Sequence, residues 1–227
     1  MVLTAKIFEI KQATTLDEIA IKLQSIRLVE NEKFGEKEFE LLTTVGDLSM
    51  SGKRLMGILS RDKIILVNQR GEQVPVLKTT TAPIIIWNDR NRIFLMVLQK
   101  KHFANYVASF LSHQLFLNYR SIVEATISHD SLRMFHEKNP EATKVIYFDN
   151  LDFPGVDKVA LYGESLSSTG KYEEYLSHGR IWYLVFSVKG SSAVLGVSRN
   201  CVVVSFSRIT ESQFIDYIFD NVCPLIS

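Results

Sequence analysis

The 227-residue sequence has little of what marks the specialised protein classes. It holds two cysteines, Cys201 and Cys223, far apart and in no metal-ligand spacing, which excludes a disulfide-stapled miniprotein. Cys201 opens an apolar stretch and Cys223 closes one, so both read as buried, reduced structural thiols. No apolar run approaches the roughly 18 residues a membrane helix needs. The longest, Ile84–Trp87 and Cys201–Phe206, are strand-length. Met1 to Ile10 alternates and carries Lys6 and Glu9, unlike a secretory apolar core. A soluble, cytoplasmic protein without a membrane partner is therefore expected. With 26 basic and 25 acidic side chains the net charge is only +1, which excludes a chain basic throughout that coats polyanions. Five prolines, eleven glycines and 46% hydrophobic residues exclude collagen-like and disordered chains.

The motifs of common catalysis are missing too. There is no GxGxxG or GxxxxGK[ST] to cradle phosphate, no HExxH and no GxSxG, so no cofactor is implied. His129 and His136 flank a short helix, each beside a carboxylate, but no third ligand is supplied and no metal site is read. A metal-dependent nuclease would need carboxylates beside a basic patch. Glu36-Lys37-Glu38 and the Asp149, Asp152, Asp157 group are its candidates, and turn or loop roles explain both. The reading is of a protein without catalytic residues.

What is present is alternation. Lys6–Ile10 reads as a strand, and Thr15 with Glu18 forms a capping-box pattern before a helix through Leu16, Ile19, Leu23 and Ile26. A charge-dense segment, Glu30 to Glu40, precedes a strand over Phe39–Val45. Leu55–Ser60 and Ile64–Asn68 read as two strands with a turn at Arg61-Asp-Lys63. Gly71 marks a second turn and Val74–Leu77 a short strand. Ile84–Trp87, a turn at 88–91 and Arg92–Leu98 follow, then a helix to about Leu117. The second half repeats the order: strand Ile122–Ile127, a helix through Leu132 and His136 stopped by Pro140, and strands Lys144–Phe148, Val159–Gly163 and Ile181–Val188. Glu164–Gly170 reads as a flexible loop, and Tyr172, Tyr175 and Trp182 as packing residues or an aromatic contact surface. Val194–Val197, Cys201–Arg208 and a final apolar-faced helix close the chain.

Segments 84–117 and 194–226 match in pattern, each a strand, a turn, a strand and a helix. The expected fold is α+β, with two tandem strand-helix-antiparallel strands-helix units, 1–120 and 121–227, forming one curved antiparallel sheet with helices on one side. That order resembles the TATA-box-binding-protein fold over nearly the whole chain. The resemblance implies a saddle whose sheet face meets nucleic acid. Phe94 and Phe206 are single strand aromatics where that family has phenylalanine pairs, Phe148 sits on a different strand, and the final helix carries Glu211, Asp216 and Asp220 instead of a basic face. The resemblance therefore extends to the fold and not to TATA recognition.

Near-neutrality conceals an asymmetry. Residues 1–120 carry 17 basic against 12 acidic side chains, and 121–227 carry 9 against 13. Lys53, Arg54, Arg61, Lys63, Arg70, Arg90 and Arg92, with Lys78, fall mainly at strand ends and turns. If those turns meet at one sheet edge, they form a basic patch for phosphate backbones. Solvated turns and edge-strand protection are the plainer explanation. The expectation is a non-enzymatic binding module for nucleic acid, DNA first, through a sheet face or this basic edge. A protein partner or a homodimer is the alternative, since an acidic half can dock on a basic one.

Overall fold

The computed structural model describes residues 2–138, 142–188 and 192–227. These form twelve β-strands and five α-helices, with neighbouring strands in antiparallel ladders, so the chain is α+β. It divides into two compact units, Phe8–Val123 on the one hand and Met1–Ile7 with Glu124–Ser227 on the other. Strands β1 (Thr4–Ile10) and β7 (Ile122–Glu124) each straddle the division. Pro140, read from the sequence as a helix stop, lies outside the described residues.

The first unit contains α1 (Leu16–Gln24), β2 (Arg27–Phe34), β3 (Lys37–Ser51), β4 (Arg54–Gln69), β5 (Glu72–Asp89), β6 (Arg92–Val97) and α2 (Lys101–Phe116). The capping box holds: Thr15 Oγ1 accepts from the Glu18 amide and Glu18 Oε2 from the Thr15 amide, both at 3.2 Å. Strand order is β2-β3-β4-β5-β6-β1. Two of its hairpins turn on two residues, both at positive φ: Arg70 and Gly71 at 54° and 88°, Arg90 and Asn91 at 50° and 62°. Such primed turns follow the natural twist of paired strands. The core is one cluster: Phe8 and Ile10, Ile19 and Leu23 of α1, Leu55 and Leu59 of β4, Ile84 and Ile86 of β5, Leu95 and Val97 of β6, and Val107 and Leu111 of α2. Both helices thus pack on one face of this sheet.

Two expectations fail here. Arg61-Asp-Lys63 is no turn but the middle of the 16-residue β4, and Glu30–Glu40 is a hairpin rather than an irregular segment. At Arg61 and Asp62 the polar side chains find partners within extended backbone. The Arg61 guanidinium lies 3.8 Å from the Tyr106 ring centroid, and Asp62 accepts from the Leu42 amide at 3.1 Å and the Thr79 hydroxyl at 2.6 Å. Val74–Leu77 likewise merges with Ile84–Trp87 into the 18-residue β5.

The second unit contains α3 (His129–Lys138), β8 (Thr143–Asp149), β9 (Lys158–Tyr162), α4 (Gly170–His178), β10 (Arg180–Ser187), β11 (Val194–Ser198), β12 (Val202–Ser205) and α5 (Glu211–Tyr217). Strand order is β9-β8-β10-β11-β12, with Thr4–Lys6 of β1 paired to β12. Phe135 of α3 meets Phe186 of β10, which stacks on Tyr217 of α5, and Phe148 of β8 meets Tyr172 and Tyr175 of α4. Three helices therefore cover one sheet face. The segment read as a flexible loop at 164–170 instead forms a 3-10 turn, Leu166–Ser168, and the start of α4, where Thr169 caps the Tyr172 amide. In this unit α4 interrupts the run of strands, whereas five strands follow one another in the first. Among the described residues, no helix is long and apolar enough to cross a membrane.

Candidate functional site: an aromatic sheet face

Side chains alternate along a strand, so the residues flanking Ile146 and Phe148 point away from the helices. Those residues are Val145, Tyr147 and Asp149. Cross-strand partners share a face, which adds Tyr162, Ala160 and Lys158 of β9 and Tyr183 and Val185 of β10. Strict alternation would put Trp182 and Tyr183 on opposite faces. A β-bulge between Ile181 and Tyr183 prevents this. The extra residue is Trp182, whose ring lies 5.7 Å from Tyr147 and 5.6 Å from Tyr183.

The bulge is held from both sides. The Ile181 amide donates to Nδ1 of His129 at 2.8 Å, and the Arg199 amide donates to the Trp182 carbonyl at 2.8 Å. Burial pushes the His129 imidazole below its ordinary range, which keeps that nitrogen an acceptor. Next to it, Tyr183 lies across β11. A Cβ on Gly196 would fall 2.0 Å from the Tyr183 hydroxyl oxygen, so only glycine admits that ring.

Four aromatic rings result. Tyr147 makes edge contacts with Tyr162, Trp182 and Tyr183 at 6.3, 5.7 and 5.5 Å, and its hydroxyl hydrogen-bonds that of Tyr162 at 2.9 Å. Tyr162 is 69% exposed, and Phe206, which also nears Gly196, is 54% exposed. Burial raises the Tyr183 phenol to about 12, so it stays neutral. Cations edge the cluster: the Lys158 ammonium sits 5.1 Å from the Trp182 ring centroid, Arg199 pairs with Asp149, and the exposed Arg180 lies opposite Asp149. Two buried polar atoms here have no hydrogen-bond partner among the described residues, Trp182 Nε1 and Asp149 Oδ1. A neutral aromatic surface with flanking cations can stack flat rings and attract anions.

The basic residues expected from the sequence lie in the other unit and do not form one patch. Lys53 in the β3–β4 turn, Arg54 at the start of β4, Arg90 in the β5–β6 turn and Arg92 at the start of β6 share one end of the ladder. Arg61 is mid-strand, Lys63 lies further along β4 opposite Lys78, and Arg70 occupies the opposite tip. Arg92 forms a bidentate pair with Glu9 at 2.9 and 2.8 Å and stacks on Phe94, while Arg61 is held on Tyr106. The Arg92 guanidinium, aided by Lys11, holds the Glu9 carboxyl down at about 2. Lys53, Lys63, Arg70 and Arg90 are exposed.

Of the nuclease candidates, Glu36 stands in the β2–β3 turn, Asp149 is paired with Arg199 and Asp152 hydrogen-bonds His178 at 2.7 Å. Among the described residues no three His, Cys, Asp or Glu side chains gather as a metal site would require. Tyr172 and Tyr175 pack beneath the sheet, so only Trp182 of the three aromatics read from the sequence reaches the opposite face. Tyr147, Tyr162 and Tyr183 escaped that reading because only the strand register and the bulge unite them. No family model matches the chain, and no curated protein matches it.

Proposed function

We propose that the chain is a non-enzymatic binding module that takes single-stranded nucleic acid on the aromatic sheet face of its second unit. The carrying observation is the cluster of Tyr147, Tyr162, Trp182 and Tyr183 edged by Lys158, Arg180 and Arg199. Aromatic side chains on a sheet accept unstacked bases, and neighbouring cations follow the phosphates. A duplicated, saddle-like arrangement of the TATA-box-binding-protein kind belongs to the same proposal. Its support is that each unit packs its helices on one face of its sheet. The exposed Lys53, Lys63, Arg70 and Arg90 are secondary phosphate contacts in this reading.

The test is binding of a single-stranded homopolymer and its duplex at low salt, followed by anisotropy. The single strand binds more tightly, and affinity declines as salt rises. Tyr162→Ala weakens it about tenfold, as loss of one stacked base implies. Equal binding of duplex and single strand, or an unaffected Tyr162→Ala, would refute the assignment of this face.

A protein partner is the second reading. It is favoured by exposed aliphatic side chains in the first unit, among them Leu28, Val29, Leu66 and Leu77.

A further inference from the structure

Strands β3 and β4 pair from Ser51 and Arg54 only as far as Thr43 and Arg61. Beyond that point they separate into two ribbons. One is β2–β3, paired from Arg27 and Thr44 out to Phe34 and Lys37. The other is β4–β5, paired out to Gln69 and Glu72. Asp62 stands at the fork: its carboxylate takes the Leu42 amide and the Thr79 hydroxyl, and so occupies the place of the next rung. Past it, Lys63–Gln69 of β4 pairs with β5 on one side and with no described strand on the other. Strand β2 is likewise an edge, and all eight of its residues are exposed.

Such edges invite a further strand. The β4–β5 ribbon is aliphatic on both faces: Ile65, Val67, Val74 and Val76 on one, Ile64, Leu66 and Leu77 on the other. Leu66 and Leu77 are each 46% exposed. A two-stranded ribbon alone is marginally stable in water, and this one is longer and more apolar than a solvated hairpin warrants.

The geometry points to a second copy of this chain as the occupant, with β2 of each copy adding antiparallel to the free edge of β4 in the other. Charge decides the partner. The β2–β3 ribbon carries five glutamates against two lysines between Glu30 and Glu40. The fork side of β4–β5 presents Lys63 directly opposite Lys78. In the register that sets Glu32 against Lys63, Glu30 and Glu32 share the face of the two lysines. The same register sets Val29 against Leu66 and Leu28 against Val67, two aliphatic pairs. Lys63 and Lys78 thereby find acidic partners, and the exposed Leu28, Val29 and Leu66 and the half-buried Val67 are covered. Each copy offers both edges, so two such contacts related by a twofold axis close the pair as a dimer.

The test is sedimentation velocity of the full chain over a wide concentration range, with nucleic acid absent. The chain dimerises, and Glu30→Lys with Glu32→Lys weakens the dimer at least about tenfold. Adding Lys63→Glu and Lys78→Glu to that variant restores dimerisation, a rescue that damage to the fold would not give. Circular dichroism confirms that every variant is folded. A folded monomer at all concentrations overturns the proposal and leaves the fork to an extended segment of another protein. A dimer indifferent to the glutamate reversals, or reversals without rescue, overturns it equally. Neither result bears on the aromatic face, which lies in the other unit.

Discussion

Gly196 is the residue on which the aromatic face most depends. It is not at a turn, and its value is the absence of a side chain beneath Tyr183 and Phe206. Gly196→Ala forces its methyl into the Tyr183 ring, with Phe206 Cε2 also only 3.0 Å away. We expect a loss of about 1–3 kcal/mol in urea unfolding, the usual cost of overpacking, together with a changed near-ultraviolet aromatic spectrum. Unaltered stability and spectrum would mean that Tyr183 does not rest there. A second residue-scale expectation concerns His136. It is fully buried, donates or accepts through Nδ1 at 2.8 Å to Thr143, and leaves Nε2 without a partner among the described residues. Burial lowers its pKa to about 4. Unfolded, it titrates near 6.5, so below that pH the unfolded chain binds a proton the folded chain refuses. Stability is complete above about pH 6.5 and falls as pH drops toward 4, by ~2 kcal/mol once partial solvation is allowed for. His129, also lowered by burial, adds to the loss in the same direction. Carboxylates such as Glu9, held at about 2, contribute only from about pH 5 downward, so unfolding between pH 6.5 and about 5 reports the histidines. A flat profile there contradicts the neutral, buried imidazoles.

At the scale of elements, Asp62 decides where a sheet becomes two ribbons. Asp62→Ala leaves the Leu42 amide and Thr79 hydroxyl without their acceptor, at a cost of about 1–2 kcal/mol. Amide hydrogen exchange should speed up at Leu42 and along Lys63–Gln69, and unchanged protection would show that the fork is set elsewhere. This element also shows what the sequence conveys and what it withholds. Helices α1, α2, α3 and α5 and the turns at Gly71 and Asn91 were legible because caps, apolar faces and positive-φ turns are local chemistry, as at Thr15 with Glu18; α4, whose start reads as a loop, was not. The long β4 was not, because Arg61-Asp-Lys63 breaks the apolar alternation and its partners, Tyr106, Leu42 and Thr79, are distant in sequence. The same holds for the aromatic face. Trp182 was visible as an aromatic, but its placement beside Tyr183 follows from a bulge stabilised by His129, 52 positions before Ile181. A periodicity of two misplaces one of two adjacent aromatics wherever a bulge intervenes. The basic residues were counted correctly, yet nothing in their spacing foretold that Arg92 would be matched by Glu9 and Arg61 by an aromatic ring.

For the whole molecule, net charge proves a poor guide to where the proposed binding surface lies. The half of the sequence with the acidic surplus contains the unit whose sheet face gathers Lys158, Arg180 and Arg199 around four aromatic rings. The basic half holds its candidate cations along β4 and at both ends of its ladder, with Arg61, Arg90 and Arg92 among those already engaged. Recognition by stacking needs few charges, and a modest salt dependence distinguishes it from binding driven by phosphates alone. The chain has two tryptophans, and only Trp182 lies on this face, Trp87 being buried against Phe94 in the other unit. Tryptophan fluorescence titrated with a single-stranded homopolymer at low salt, in the Trp87→Phe chain, therefore tests the central claim most directly. The account predicts saturable quenching of Trp182 that the duplex does not reproduce at the same concentration, and unquenched emission throughout the titration would contradict it.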